Sequence, residues 1–469
     1  MNRALLLMTS TLALAACSME PKYVQPVPAV PANWPVGDAY LRASEAALPS
    51  VSYRDIFRDP KLQALIGRAL ENNQDIRLAL ANVVIARGQL RTQRAQQLPR
   101  IDAAAAATFS DNGTARTNNV NASGGTTESY SVDAGLSAFE IDLFGRLRSL
   151  SRGALNDYLA TEAAVRAARF SLVAETASAY LTLATDRSLL AIAIETETSA
   201  KRSVDLTGAR LSGGIAPRTD LRQAETILAQ ARADRADLIT LVAQDRNALQ
   251  LLVGAPVEDA DLPASIESVD GLLSELPAGL DSQVLLRRPD VVQAEYQLKA
   301  ENARIGAARA AFFPVISITG LAGLASNALS ALFTGGAFNW SAGANASLPI
   351  FDGGANRGNL VAAQGQRDAA LATYQKTIQT AFREVSDALA RRGTIEDKVT
   401  AQADLAASAQ DSFTLTEARY RQGVDSFLES LDAQRTLYSA RRALASAHLV
   451  RAENLVELYR SLGSDTSLQ

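Results

Sequence analysis

Very few residues in this chain are suited to covalent chemistry. It has one cysteine, Cys17, and one histidine, His448. A metal centre built on nitrogen and sulfur ligands takes three or four of them, and one of each falls short. A Ser–His–acid triad would have to use His448, which lies in a helical stretch between Ala447 and Leu449 with no supporting motif. The sequence has no Gly-Lys-Ser/Thr phosphate loop, no His-Glu-x-x-His pair and no Gly-x-Ser-x-Gly elbow. Arg287 and Arg288 before Pro289 suit either an anion site or the start of a helix. The expectation is therefore no catalytic residue, no metal, no cofactor and no enzyme. A formal net charge of −4 also argues against a nucleic-acid partner.

The chemistry that remains is acylation of a thiol. Arg3 precedes an apolar run from Ala4 to Ala16, too short to span a bilayer but suited to a secretory signal. It ends Leu14-Ala15-Ala16-Cys17, which resembles a bacterial lipobox. That implies cleavage before Cys17 and a covalent lipid on its sulfur. Ser18, in place of an aspartate, implies sorting to the outer membrane. One cysteine also means no intrachain disulfide.

The elements that follow come twice. "ARLSGGIAPRTDLRQAETILAQAR" starts at Ala209 and "ARYRQGVDSFLESLDAQRTLYSAR" at Ala418. Around each, the same order of patterns appears. The first copy has a helical composition from Pro60 to Leu98, stopped by Pro99, then a period-two segment from Ile101 to Ser110. A polar loop, Asp111 to Ser129, separates it from a second alternating segment, Tyr130 to Phe139. A proline-free helix then runs from Arg146 to about Ser212, ~100 Å at 1.5 Å per residue, and a shorter one from about Thr219 to Leu252. The second copy has a helix stopped by Pro314, strands in "VISITGLAGLA" and "FNWSAGANASLPI", and a helix from Asn356 to Gln422. Ser426 and Glu429, at capping-box spacing, open its final helix. The expected divisions are a signal peptide at 1–16 and a proline-rich tether at 17–58. Repeat 1 is 59–253 with its hairpin at 100–142, and a linker covers 254–280. Repeat 2 is 281–462 with its hairpin at 315–350, and a tail covers 463–469.

Four strands of about ten residues cannot close a barrel alone, and lipid does not tolerate open sheet edges. Two chains give eight strands with a nearly filled interior, and three give twelve with a water-filled lumen. The alternation predicts lipid-facing positions at Leu136, Ile318, Trp340 and Leu348, with Ser, Thr, Asp, Asn and Gly facing inward. The alternative is a pair of hairpins in a soluble sandwich. Alanine-rich helices of this length suit side-by-side coiled-coil packing, and three copies would make a hollow cylinder. The fold class is thus a mixed α and β membrane protein: a trimeric transmembrane β-barrel continued by a long periplasmic α-helical barrel.

Several stretches carry a family resemblance. The Cys17 lipobox, "FEIDLFGRLR", "LLRRPDVVQAE", "NARIGAARAAFFP", "SLPIFDGG" and "RYRQGVDSFLESLDAQRTL" are similar to the lipoprotein branch of the bacterial outer-membrane factor family, the TolC-, OprM- and NodT-like channels. The resemblance spans nearly the whole chain. It implies a homotrimer in the outer membrane, extending into the periplasm. It also implies a passive exit duct for small molecules that works with a periplasmic adaptor and an inner-membrane pump. A duct for type I protein secretion and a structural periplasm-spanning lipoprotein are the alternatives.

The repeated tips then acquire a role. Gly214 and Ile215 in the first, and Gly423, Val424, Asp425 and Ser426 in the second, are expected at the periplasmic end, where partners touch and the duct closes. Asp425 is the acid in the second turn. In a trimer it would form a ring of three carboxylates, which would favour cations and raise some of their pKa values. The family implies that an aspartate here narrows the closed entrance. The alternative is that Asp425 only favours the N-terminus of the final helix.

Overall fold

The computed structural model describes residues 18–28, 30–31, 34–35, 52–111, 126–270 and 282–463. Cys17 and the signal segment lie outside the described residues, as do 112–125, 271–281 and 464–469. Nine α-helices, three short 3-10 turns and four strands occur among those described. The helices are α1 (Tyr53–Ile56), α2 (Pro60–Asn72), α3 (Gln74–Ala95), α4 (Arg146–Ser212), α5 (Arg218–Val253), α6 (Ile266–Asp270), α7 (Pro289–Ala310), α8 (Ala355–Arg421) and α9 (Phe427–Leu462). The strands are β1 (Ile101–Asp111), β2 (Thr126–Ile141), β3 (Val315–Ser326) and β4 (Phe338–Ser347).

The repeat holds at the level of whole elements. Helices α4 and α8 each have 67 residues, α5 and α9 each have 36, and α3 and α7 each have 22. Two expectations need correction. The helical stretch from Pro60 to Leu98 is two helices. Asn73 breaks it because its side-chain oxygen accepts hydrogen bonds from the amides of Asp75 (2.8 Å) and Ile76 (3.1 Å), an N-cap inside a helical composition. The loop expected from Asp111 to Ser129 is shorter. Asp111 pairs with Thr126 and Thr108 with Ser129, because ladder hydrogen bonding tolerates polar side chains on a solvated face.

The chain packs into two units that cut across the repeats. The first takes residues up to Pro26, Val83–Thr161 and Ala294–Tyr374, and contains the whole sheet. The second takes Val27–Asn82, Glu162–Gln293 and Gln375–Gln469.

In the first unit the sheet runs β1-β2-β3-β4, antiparallel throughout. Part of the expected tether is pinned on this unit's helices. Glu20 pairs with Arg152 at 2.7 Å, Asn302 Nδ2 donates to the Pro21 carbonyl at 2.8 Å, and the Tyr23 hydroxyl donates to Glu295 at 3.2 Å. Gly306 permits this approach, since a Cβ there would lie 2.9 Å from the Glu20 Cα.

The second unit holds the main core. Leu62, Leu65 and Ile66 of α2 pack with Val173, Leu181 and Leu183 of α4 and Leu249 of α5, all sealed from solvent. Buried Tyr180 donates to Asp59 at 2.7 Å, while Asp59 also caps α2 through the Lys61 amide at 2.9 Å. Beyond that core, α8 and α9 meet through small clusters of antiparallel sense. Ile395 and Val399 meet Ala447, Ala406 and Ala409 meet Leu437 and Ala440, and Tyr420 meets Phe427 and Leu431. Alanine at these positions lets the helix backbones approach closely.

Candidate functional site: sheet faces and helix-hairpin tips

The strand register decides which side chains share a face. Ile101 lies opposite Leu136, and Ala105 opposite Val132. Val132 lies opposite Leu324, and Phe139 opposite Ile318. Ile318 lies opposite Ala344, and Ala322 opposite Trp340. Directly opposed residues point to the same side of a sheet. Leu136, Ile318 and Trp340 therefore stand on one face, together with Ile101, Phe109, Tyr130, Ile316, Leu324 and Phe338. That face is open in this chain: Trp340 is 71% exposed and Ile101 75%. The opposite face carries Asp102, Thr108, Ser131, Asp133, Thr319, Asn339, Ser341 and Asn345. Leu321 and Val315 are apolar members of it. Gly323 makes room on this face, because a Cβ there would lie 2.3 Å from the Asp133 carboxylate.

Two positions depart from strict alternation. The register shifts between Leu136 and Phe139, where Ala138 adopts φ 50°. This bulge returns Phe139 to the apolar face, whereas unbroken alternation would send it to the polar one. Leu348 lies just beyond β4, which ends at Ser347.

Past the strands, carboxylates start the long helices. Asp142 accepts from the Arg148 amide at 2.8 Å. Asp352 accepts from the amides of Gly354 and Asn356, both at 2.8 Å, and these donors hold its carboxyl below the usual range.

The two tips share one backbone form. The Gly214 amide bonds to the Leu211 carbonyl (3.0 Å) and the Ile215 amide to Arg210 (2.9 Å). Likewise, the Gly423 amide bonds to Tyr420 (3.0 Å) and Val424 to Arg419 (2.9 Å). Gly214 and Gly423 have φ 75° and 78°. This is a Schellman ending, with glycine where the chain turns left-handed. It leaves Ile215 and Val424 77% and 61% exposed, two apolar residues offered outward.

The side chains of the tips differ. Arg419 grips Asp425 with two hydrogen bonds, Nε to Oδ2 at 2.6 Å and Nη2 to Oδ1 at 2.8 Å. This bond to Arg419 holds the Asp425 carboxyl below the usual range. Within the chain that is the reverse of the rise expected from a ring of like charges, because the guanidinium neutralises the acid first. Ser426 is the N-cap of α9 but its side chain makes no capping hydrogen bond, so the expected capping box does not form. Arg210, the counterpart of Arg419, instead ties the tips together. Its guanidinium lies 4.3 Å from the centre of the Tyr420 ring and donates to the Tyr420 carbonyl at 2.8 Å. The sequence reading missed this contact. The signal was the matched arginine pair 210 and 419, of which only the second has an acid nearby.

Arg288 is no anion site. It is buried, and it pairs with Asp290 (2.8 Å) and Glu384 (3.0 Å) and donates to the Ser461 carbonyl at 2.8 Å. Burial disfavours its charge, but the two carboxylates more than offset that. Among the described residues, no group of His, Cys, Asp or Glu could hold a metal ion, and no helix is long and apolar enough to cross a membrane.

Comparison with known proteins bears on this arrangement. The model of the outer membrane efflux protein family matches residues 65–255 and 280–464. The solvent efflux pump outer membrane protein SrpC of Pseudomonas putida is 42% identical over 467 residues, covering 98% of each chain. A crystal structure of a Pseudomonas aeruginosa membrane protein superposes with TM-score 0.88 at 39% identity, covering 95% of this chain and all of that one. The open state of the Neisseria gonorrhoeae MtrE outer membrane channel gives 0.81 at 36% identity, covering 96% of this chain and 98% of that one.

Proposed function

The chain belongs to the outer membrane efflux protein family, and from that premise we propose that three copies form the passive outer-membrane exit duct of a tripartite efflux pump. The observation that carries this is the sheet. It has one open apolar face, one polar face and two unpaired edges, β1 and β4. Lipid suits the first face, a water-filled lumen the second, and neighbouring copies the edges. Twelve strands leave room for a lumen, whereas eight nearly fill. The helices α4 and α8, each ~100 Å long, extend the duct into the periplasm. Ile215 and Val424 at the tips give an adaptor or an inner-membrane pump an apolar contact, and Asp425 lines the entrance beside them. Cys17 carries a lipid that adds a second hold on the membrane. The duct performs no chemistry, and energy and substrate choice come from the pump. SrpC is named for solvent efflux, and small molecules are the cargo proposed here.

The deciding experiment is single-channel recording of purified protein in a planar bilayer. Discrete ohmic steps support the duct, and an electrically silent trimer would leave only a periplasm-spanning structural role.

A further inference from the structure

None of the four strands contains a lysine or an arginine. Three acids stand on the polar face, Asp102, Asp133 and Glu140, whereas Asp111 and Glu128 fall on the apolar one. Two of the three are answered from outside the strands. Arg100 pairs with Asp102 at 2.7 Å, and Arg146 with Glu140 at 2.5 Å. Asp133 lies near the middle of β2 and meets no cationic side chain among the described residues. It shares a row with Ala104, Gly323 and Asn339, which bring no charge.

The glycines beside it show which way this part of the sheet bends. Gly135 and Gly323 belong to the polar face at the β2–β3 pairing. A Cβ at Gly135 would lie 3.4 Å from the Cβ of Leu321 opposite, and one at Gly323 would lie 2.7 Å from the Asp133 Cα. Opposed Cβ atoms ordinarily stand about 4.5–5.5 Å apart, so the two strands crowd on this side. A Cβ at Gly320, on the apolar face of the same pairing, would meet nothing within 4 Å. A sheet crowded on one face and open on the other is concave on the crowded one. The polar face is the inside of this curve, and the Asp133 carboxylate is held on it against Gly323.

We infer that Asp133 is the fixed charge that makes the barrel favour cations over anions among small solutes. This rests on the trimeric duct proposed above and adds the charge class that its barrel passes most readily. Threefold symmetry sets three Asp133 carboxylates at one depth of the lumen. Rings of charged side chains select permeating ions by sign, and low-dielectric walls focus their field. The short neighbours in the row leave the carboxylates open to passing ions. The acid at the tip does not supply this charge, because Arg419 neutralises Asp425 within the chain.

Reversal potentials of the full-length lipoprotein in planar bilayers under a KCl gradient test it. The dilute side is held at about 10 mM, where the Debye length is ~30 Å. The wild-type duct is expected to pass potassium in preference to chloride. Asp133→Asn keeps the shape and removes the charge, so it should lower the potassium-to-chloride permeability ratio about threefold while discrete steps remain. Adding Asn339→Asp returns a carboxylate to the same row and should restore the ratio, which a packing role would not do. Asp133→Ser, matching Ser129 and Ser131 on the same face, is the second neutral variant where Asp133→Asn does not insert. An unchanged ratio in a conducting neutral variant, or a wild-type duct without cation preference, would overturn the inference and leave the duct standing. Failure of both neutral variants to assemble would overturn it too, since Asp133 would then serve packing against Gly323. A wild-type protein that forms no conducting channel removes the duct and the inference together.

Discussion

At the scale of single residues, the charges at the tips are placed where a partner answers them. Asp425 is held below the ordinary carboxylate range by Arg419. The sign follows from linkage: the pair's contribution is present above the unfolded carboxylate pKa and lost as pH falls through the depressed folded value. Channel selectivity should therefore stay constant from pH 7 to pH 5. Arg419→Ala should return the carboxyl to the ordinary range, about 4, from which the like charges of the proposed three-carboxylate ring would lift it into that window, read by reversal potentials as a change in cation selectivity. An unaltered profile in Arg419→Ala would detach Asp425 from the entrance. Asp245 of α5 is placed differently, with a buried oxygen that has no hydrogen-bond partner among the described residues. Burial, and then the neighbouring charge of Asp186 on α4, push it up to about 6. A raised carboxyl means the folded state binds more protons, so stability falls as pH rises from about 4 to 6. Its counterpart in the second repeat is Asn454, which donates to the Ala388 carbonyl at 2.8 Å. Asp245→Asn should gain on the order of 1 kcal/mol at pH 8, after allowance for solvent screening, and almost nothing at pH 4. Denaturation midpoints at the two pH values measure it. Cys17→Ser should abolish metabolic palmitate labelling, and label that persists would place the lipid elsewhere.

At the scale of elements, glycines of like conformation carry different loads. Gly214 and Gly254 both end helices, with φ 75° and 68°. A Cβ at Gly214 meets nothing within 4 Å, while one at Gly254 would lie 2.7 Å from the Asn72 carbonyl oxygen. Gly214→Ala should cost only the left-handed penalty of about 1–2 kcal/mol. Gly254→Ala should cost clearly more, because backbone cannot give way as a side chain tip can. Thermal denaturation of the detergent-solubilised protein ranks the two, and equal losses would show that α2 and α5 are not packed through this contact. The helix pairs also show how much of an element is local. Pro99 and Pro314 stop α3 and α7 as their positions predict, with the helices ending at Ala95 and Ala310. Asn73 was hidden, because an asparagine inside a helical composition reads equally well as a solvent-facing helical residue.

At the scale of the whole molecule, the proposed duct depends on the four-stranded sheet closing with other copies. An arginine at Leu136, on the apolar face, should hinder barrel assembly by ~2–4 kcal/mol if that residue sits near mid-bilayer. An arginine at Ser131, on the polar face, should assemble and alter conductance instead. Heat-modifiable mobility and single-channel current report the two effects, and identical behaviour would reverse the faces. Ser137, a neighbour that simple alternation would choose as the polar control, is unsuitable because it lies in the bulge between Leu136 and Phe139.

What the sequence determined by itself was whatever repeats along the chain. Period two marked the strands, and the absence of proline from Arg146 to Ser212 marked a helix of 67 residues whose bounds the structure keeps. The apolar sides of the strands were legible too, because alternation is a local pattern. Only the tertiary structure decided what depends on residues far apart. It joined β2 to β3 across α4 and α5, and placed the bulge at Ala138 that keeps Phe139 with Leu136. It also set Arg210 on Tyr420, paired Arg288 with Glu384, and divided the chain into units that mix both repeats. The physical reason is range. Propensity and periodicity act over a few residues, whereas a buried arginine or an unpaired strand edge is satisfied by whatever group the fold brings near, and nothing in its own sequence neighbourhood names that group.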